Sequence, residues 1–246
     1  MTESVAPPAQ DLGVVARAIG VITAPTPTYE VVVRSPKPAI MLLFVSLILG
    51  LAAAVPQFTE KGRLAVLNTQ LEAVEKMTGQ PVSDQMYQAM EQRSHYNGPT
   101  TLATTFIFTP IMALFFAGLY WGIFNAALGG TATFKQVLGV VTHSMVIMAL
   151  SAVAAMPIMM MQDKISFVGP FNLGALVSFM AEDSFVRRFL GGVNIFTLWQ
   201  IGVIAIGLGV LYRRKPTPIM MTLFVLYALL VAVGVTVFSA LMGGGR

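Results

Sequence analysis

Three polar side chains lie in or beside long apolar stretches and are the first candidates for chemistry: His143, Asn194 and Gln200. An ionisable group inside a membrane segment is by default a functional hypothesis, so His143 could belong to a proton relay or a ligand site. No apolar stretch contains an acidic residue that could complete a relay. The pattern therefore favours a neutral imidazole bonded to a neighbouring helix. Asn194 and Gln200 could mark a substrate site, although hydrogen bonding between helices is the favoured interpretation.

The sequence predicts no catalytic residues. Ser144 directly follows His143, and adjacent residues point to different sides of a helix, so they do not form a nucleophile and base pair. HExxH, GxSxG, Walker and Rossmann patterns are all missing. We therefore expect neither an enzyme nor a bound cofactor.

A cluster of methionines raises the question of a metal path, because thioethers bind soft Cu(I). Without a Cys in the chain or a His close to the cluster, methionine is better read as a filler of irregular gaps between helices. No metal site is predicted. The cluster comprises Met145, Met148, Met156, Met159, Met160 and Met161.

The composition is that of a membrane protein. Hydrophobic residues make up 56% of the 246 residues and charged residues 11%, which is too little charge to cover a soluble surface. The net charge of +4 is best explained by loop cations that meet anionic lipid head groups. No nucleic-acid-binding motif accompanies it, so nucleic acid is not an expected partner.

Five apolar segments approach or exceed the roughly 20 residues that a helix needs to cross a bilayer. The predicted fold is all-α: a polytopic integral membrane protein, with a bundle of five transmembrane helices and additional interfacial amphipathic helices. The predicted spans are 39–55, 102–124, 137–161, 195–212 and 219–242.

The segments outside the spans are predicted to be helical as well. Residues 1–38 form an N-terminal segment in which Leu12, Val15, Ile19 and Ile22 line one face of a surface helix, with Arg17 off that face. Within the membrane domain, 39–242, residues 56–101 are predicted to form an outer helical hairpin. Two shorter outer stretches, 171–180 and 183–192, are expected to be interfacial or re-entrant. Residues 243–246 form a tail.

Orientation is predicted from the short turn between the last two spans. Arg213, Arg214 and Lys215 lie together in this turn, and short loops rich in Lys and Arg stay in the cytoplasm. Five spans then place the N-terminus inside and the C-terminus outside.

Three stretches in a fixed order resemble the Yip-one domain family of Ypt/Rab-interacting proteins, especially its bacterial branch. They are RAIGVITAPTPTYEVVVRSPKPA, LGGTATFKQVLGVVTHS and NIFTLWQIGVIAIGLGVLYRRK, which begin at Arg17, Leu128 and Asn194. The resemblance implies five spans, a cytoplasmic N-terminus and an outer C-terminus, and it supplies no catalytic residue. The chain lacks the DLYGP motif of the GTPase-binding eukaryotic relatives and has Asn194 where bacterial members often have an acidic residue, so neither role carries over.

Two functions remain open on the sequence. The first is a non-enzymatic scaffold, or membrane-organising or trafficking-type factor, of the bacterial cytoplasmic membrane, whose partners are the bilayer and another protein or a second copy of the chain. The second is a small transporter or channel subunit, which the shortage of intramembrane charge disfavours.

Overall fold

The computed structural model describes residues 12–161, 169–181 and 184–243, and helices joined by short turns make up most of them. The first eleven residues and the tail from residue 244 lie outside the described residues. The helices are α1 Val14–Thr23, α2 Pro25–Arg34, α3 Pro38–Ala54, α4 Glu60–Thr78, α5 Asp84–Ser94, α6 Asn97–Trp121, α7 Phe134–Ser144, α8 Val146–Met161, α9 Phe185–Gly191, α10 Ile195–Tyr212 and α11 Pro216–Gly243.

Five helical stretches are long and apolar enough to cross a membrane. They are Pro38–Phe58, Asn97–Ala127, Phe134–Met161, Ile195–Tyr212 and Pro216–Ala240. The first four contain the predicted spans, and the fifth overlaps the predicted span 219–242 up to residue 240. The all-α, five-span fold is confirmed, and the protein is an integral membrane protein.

The core of the bundle forms where α10 meets α2 and α7. Its fully buried side chains include Val21, Tyr29, Val140, Ala205 and Leu208. The first two precede the first predicted span in the sequence, and the other three follow it. On the other flank, α3 packs against α6 and α8, while α11 packs mainly against α10. The N-terminal helices α1 and α2 therefore belong to the folded bundle.

The third span is interrupted at Met145, where α7 ends and α8 begins. The three residues before the break all bond carbonyl groups of their own helix: Thr142 and His143 reach Gly139 O, and Ser144 reaches Val141 O. Such bonds compete with the backbone ladder and bend helices. The consecutive residues Thr142, His143 and Ser144 thus account for the break.

Small residues let α10 approach its neighbours closely. A Cβ built on Gly207 would lie 2.6 Å from Val140 Cγ1 and 2.9 Å from Tyr29 Cε1. On the side of α11, a Cβ on Gly209 would lie 2.9 Å from Arg214 O, whereas one on Gly202 meets only Met220 Sδ at 3.8 Å. Gly202 and Gly209 thus face α11 and the turn before it, whereas Gly207 lies against α2 and α7.

The outer hairpin forms as α4 and α5. Gly79 ends α4 with a left-handed φ of 69°, and Ser83 caps α5 by accepting a hydrogen bond from Met86 N. Thr59 caps α4 in the same way through Gly62 N. Serine and threonine are favoured at helix N-caps, and glycine is favoured just after a helix, where φ is positive.

The stretch 171–180 forms a short 3₁₀-helix, Leu173–Val177, capped by Asn172. Backbone hydrogen bonds from Leu173 N to Val193 O and from Ile195 N to Phe171 O attach it to the start of α10. Its predicted interfacial or re-entrant placement stays a prediction.

Candidate functional site

His143 is fully buried on α7. Its Nδ1 lies 2.7 Å from Gly139 O, and because a carbonyl oxygen only accepts hydrogen bonds, Nδ1 carries the hydrogen. Nε2 is then an acceptor in the neutral ring, and no described residue donates to it. The imidazole thus has one structural bond and one unused lone pair.

Gln200 reaches the residue next to His143. Its Nε2 lies 3.5 Å from Ser144 Oγ, which links α10 to α7. Ser144 Oγ itself donates to Val141 O at 2.7 Å. The serine hydrogen is therefore directed at a carbonyl group and away from a base, as expected of a residue without a nucleophilic role.

Asn194 lies apart from this pair, at the start of α10. Its side chain accepts a hydrogen bond from Phe196 N at 2.8 Å, which makes it the N-cap of the helix. The Tyr227 hydroxyl accepts from Asn194 N at 3.4 Å and donates to Gly192 O at 2.9 Å. Asn194 thus joins α10, α11 and the outer loop. Of the three predicted residues, Gln200 comes nearest to another by bonding Ser144, the residue after His143, while Asn194 lies elsewhere.

Arg17 is the buried cation that the sequence pattern did not reveal. Only 1% of its surface is exposed, and its guanidinium donates to Leu12 O at 2.9 Å and to Ser35 O at 2.8 Å. The side chain ties the start of α1 to the end of α2. Arg17 lies off the apolar face of α1, and a charged residue in such a position is usually solvated, so the sequence contains little indication that it is buried.

A small cavity of about 210 Å³ lies beside His143. Arg17 and Lys37 line it together with the apolar side chains of Leu12, Ile40 and Met41. The cavity combines two cations with an imidazole and offers no carboxylate among its described walls. Acid and base chemistry that needs a paired carboxylate is not supported by this arrangement.

Tyr29 is the second residue missed from the sequence. Its ring is fully buried between α7 and α10, and its hydroxyl donates to Val140 O at 3.4 Å. Burial raises the pKa of Tyr29 well above its usual range. The phenol therefore stays neutral and acts as a packing residue.

Within residues 12–161, 169–181 and 184–243, no group of three His, Asp or Glu side chains could hold a metal ion. The methionines of α8 include exposed positions such as Met160 and Met161, as expected where a helix faces lipid.

Comparison with known proteins places this bundle in a family. The sequence model of the Yip1 domain matches residues 19–240, which is most of the chain. The chain belongs to the Yip1 domain family. No curated protein and no solved structure gives a significant match. The Yip1 domain covers all five candidate spans and the second half of α1, and the family is in general one of non-enzymatic membrane proteins.

Proposed function

We propose that this Yip1-domain protein is a non-enzymatic scaffold of the bacterial cytoplasmic membrane, which gathers a protein partner through helices outside its spans. In this proposal the N-terminus and the basic turn of Arg213 to Lys215 lie in the cytoplasm, and the α4–α5 hairpin and the C-terminus lie outside. The turn supports this orientation because it places three cations between two spans.

The observation that carries the proposal is the presentation of α5. Ser94 is the buried residue of this helix, whereas Met86 is 46% exposed and Tyr87 is 40% exposed. Methionine and tyrosine are side chains that protein interfaces favour. Because α5 exposes a methionine and a tyrosine, it is suited to bind a partner protein.

The support beneath α5 is firmly attached to the bundle. Leu67 of α4 is buried, and Lys61 Nζ donates to Met161 O at 2.9 Å at the end of α8. Gly62 lies so close to Pro56 O that it has no room for a Cβ. The hairpin can therefore hold a partner in a defined position relative to the membrane.

Polar residues near the spans fit the same role. Asn194 caps α10, Gln200 joins α10 to α7, and Asn125 accepts from the Tyr212 hydroxyl at 2.8 Å. These hydrogen bonds hold helices together, which is what a scaffold needs from its interior.

The test is site-specific photo-crosslinking in the native membrane. A photoreactive residue in place of Tyr87 should give a protein adduct of discrete mass, whereas the same residue in place of the exposed Leu230 of α11 should give lipid adducts only. The double substitution Met86→Asp and Met90→Asp should remove the protein adduct without lowering the melting temperature. Lipid adducts alone at both positions would contradict the proposal.

A flux assay separates the scaffold from a transporter. Purified protein in liposomes should give no solute or ion flux above that of empty liposomes. Flux that is lost in His143→Leu would instead support transport through the bundle and would contradict a scaffold.

A further inference from the structure

Two neighbouring clefts lie at the end of the bundle that carries the α10–α11 turn. The larger cleft measures about 790 Å³ and the smaller about 520 Å³. Arg213, Arg214, Gln136 and Leu211 line both of them. The two clefts thus flank a shared pair of guanidinium groups.

The larger cleft has a marked excess of positive charge. Its walls include the four cations Arg34, Arg213, Arg214 and Lys215, against a single carboxylate, Glu30. All five side chains are exposed, and none of the four cations forms an ion pair with a carboxylate in the described part of the chain. Arg214 makes one long hydrogen bond, 3.3 Å, to Leu128 O. Exposed cations that outnumber the carboxylates of a concave site four to one favour an anionic ligand.

The position of the clefts selects the source of that anion. They lie where α10 ends and α11 begins, at the boundary between apolar span and polar turn. Trp121 lies at the matching end of α6, where its Nε1 donates to Ala132 O at 3.1 Å. Tryptophan and tyrosine at span ends mark the level of lipid head groups. An anionic head group is the ligand most abundant at this depth.

The wall of the larger cleft continues toward the bilayer. Ile206 and Val210 lie one turn apart on α10, with Val33 of α2 beside them in the same wall. This apolar strip leads from the charged rim along the span. It suits the glycerol backbone and first acyl carbons of a lipid whose phosphate is held at the rim.

We propose that the two clefts bind the head group of an anionic phospholipid that carries two phosphodiesters, a diphosphatidylglycerol. One phosphate occupies each cleft, and the shared Arg213 and Arg214 contact both. Basic pockets between membrane helices are known to suit such head groups. The cations of the turn then have a binding role in addition to fixing the orientation of the chain.

Native mass spectrometry of the full-length protein in detergent tests this directly. The protein is mixed with diphosphatidylglycerol, phosphatidylglycerol or phosphatidylcholine at equal phosphorus, and the bound lipid is counted. Diphosphatidylglycerol should be retained at least about threefold better than phosphatidylglycerol, and phosphatidylcholine least. Equal retention of the two anionic lipids would overturn the two-phosphate assignment, and equal retention of all three would overturn the site.

A second experiment removes positive charge from the larger cleft. The variant Arg34→Gln/Arg214→Gln/Lys215→Gln leaves Arg213, which has a left-handed φ of 53°, in place. Because each cation near a membrane surface contributes to anion binding, we expect retention of diphosphatidylglycerol to fall about tenfold to a hundredfold. The matched control Arg63→Gln/Lys76→Gln/Arg93→Gln removes the same charge from α4 and α5 and should retain the lipid. Melting temperatures of both variants confirm folding.

Equal loss in the two variants would mean that net charge alone attracts the lipid, and it would overturn the site. A hexaglutamate peptide serves as the rival ligand. If it binds the wild type and is lost in the cleft variant while lipid retention is unchanged, the cleft takes acidic protein segments and the lipid proposal is wrong.

Discussion

At the residue scale, the interior of this bundle depends on a few close contacts. Gly207 touches Val140 and Tyr29, and Tyr29 fills the space between three helices. Its neighbour on the chain, Thr28, lies against Gly20, which has no room for a Cβ and holds α1 close to α2. Adding a methyl group or removing a ring at these positions lowers the free energy of unfolding, because protein interiors are close-packed.

The first prediction concerns Gly207. Gly207→Ala should lower the free energy of unfolding by about 1 to 3 kcal/mol, since the new methyl group overlaps Val140 and Tyr29. Gly202→Ala, on the same helix, meets only Met220 at 3.8 Å and should be neutral or slightly stabilising. Thermal unfolding in detergent compares the two. Equal melting temperatures would contradict the packing at Gly207.

The second prediction concerns pH. Burial raises the pKa of Tyr29 in the folded state, so above about pH 10 the unfolded chain loses this proton while the folded chain keeps it. The stability that Tyr29 contributes is therefore present below pH 10 and is lost as the pH rises further. The melting temperature of the wild type should fall more between pH 9 and pH 11 than that of Tyr29→Phe. The exposed Tyr87→Phe serves as the control and should follow the wild type.

At the element scale, much could be predicted because apolar length and helix signals are local properties. The five spans follow from stretches without charge, and the ends of α4 and α5 follow from Gly79 and Ser83. The break at Met145 was missed, since it depends on three side chains bonding their own helix. Of the candidate site, the roles predicted for Asn194 and Gln200 stay predictions. The Asn194 side chain caps its own helix, whereas Gln200 reaches Ser144 on α7, a partner that lies far away in the sequence and has no local signal.

In α4, the periodicity of apolar residues does not reveal which of them are buried. Leu64, Leu67, Leu71 and Val74 form one stripe in the sequence, yet Leu67 is 1% exposed while Leu64 is clearly exposed. Which member of the stripe faces the bundle depends on how α4 lies against the 3₁₀ turn Val55–Phe58 and against α8. A stripe alone does not contain that information.

The third prediction follows from this difference. Leu67→Ala should lower the free energy of unfolding by about 2 to 5 kcal/mol, because it empties a buried site. Met86→Ala on the exposed face of α5 should change it by less than about 0.5 kcal/mol. Thermal unfolding in detergent measures both. An unchanged melting temperature in Leu67→Ala would mean that α4 is detached from the bundle in solution.

At the scale of the whole molecule, the bundle has two unlike ends. One end carries the basic clefts between α2, α7, α10 and α11, and the other carries the α4–α5 hairpin. Five spans separate the N-terminal helices from the last residues of α11. The neighbours of each span, and the inclusion of α1 and α2 in the core, come from tertiary packing, which no local pattern in the sequence determines.

The most direct test of this account is the sidedness of its two ends. The chain has no Cys, so single variants Gln88→Cys in α5 and Thr217→Cys in the basic turn can each be labelled specifically. In spheroplasts, a membrane-impermeant maleimide should label Gln88→Cys at once and Thr217→Cys only after detergent is added. Labelling of both positions from the same side of the intact membrane would contradict the five-span bundle and the functions proposed for its ends.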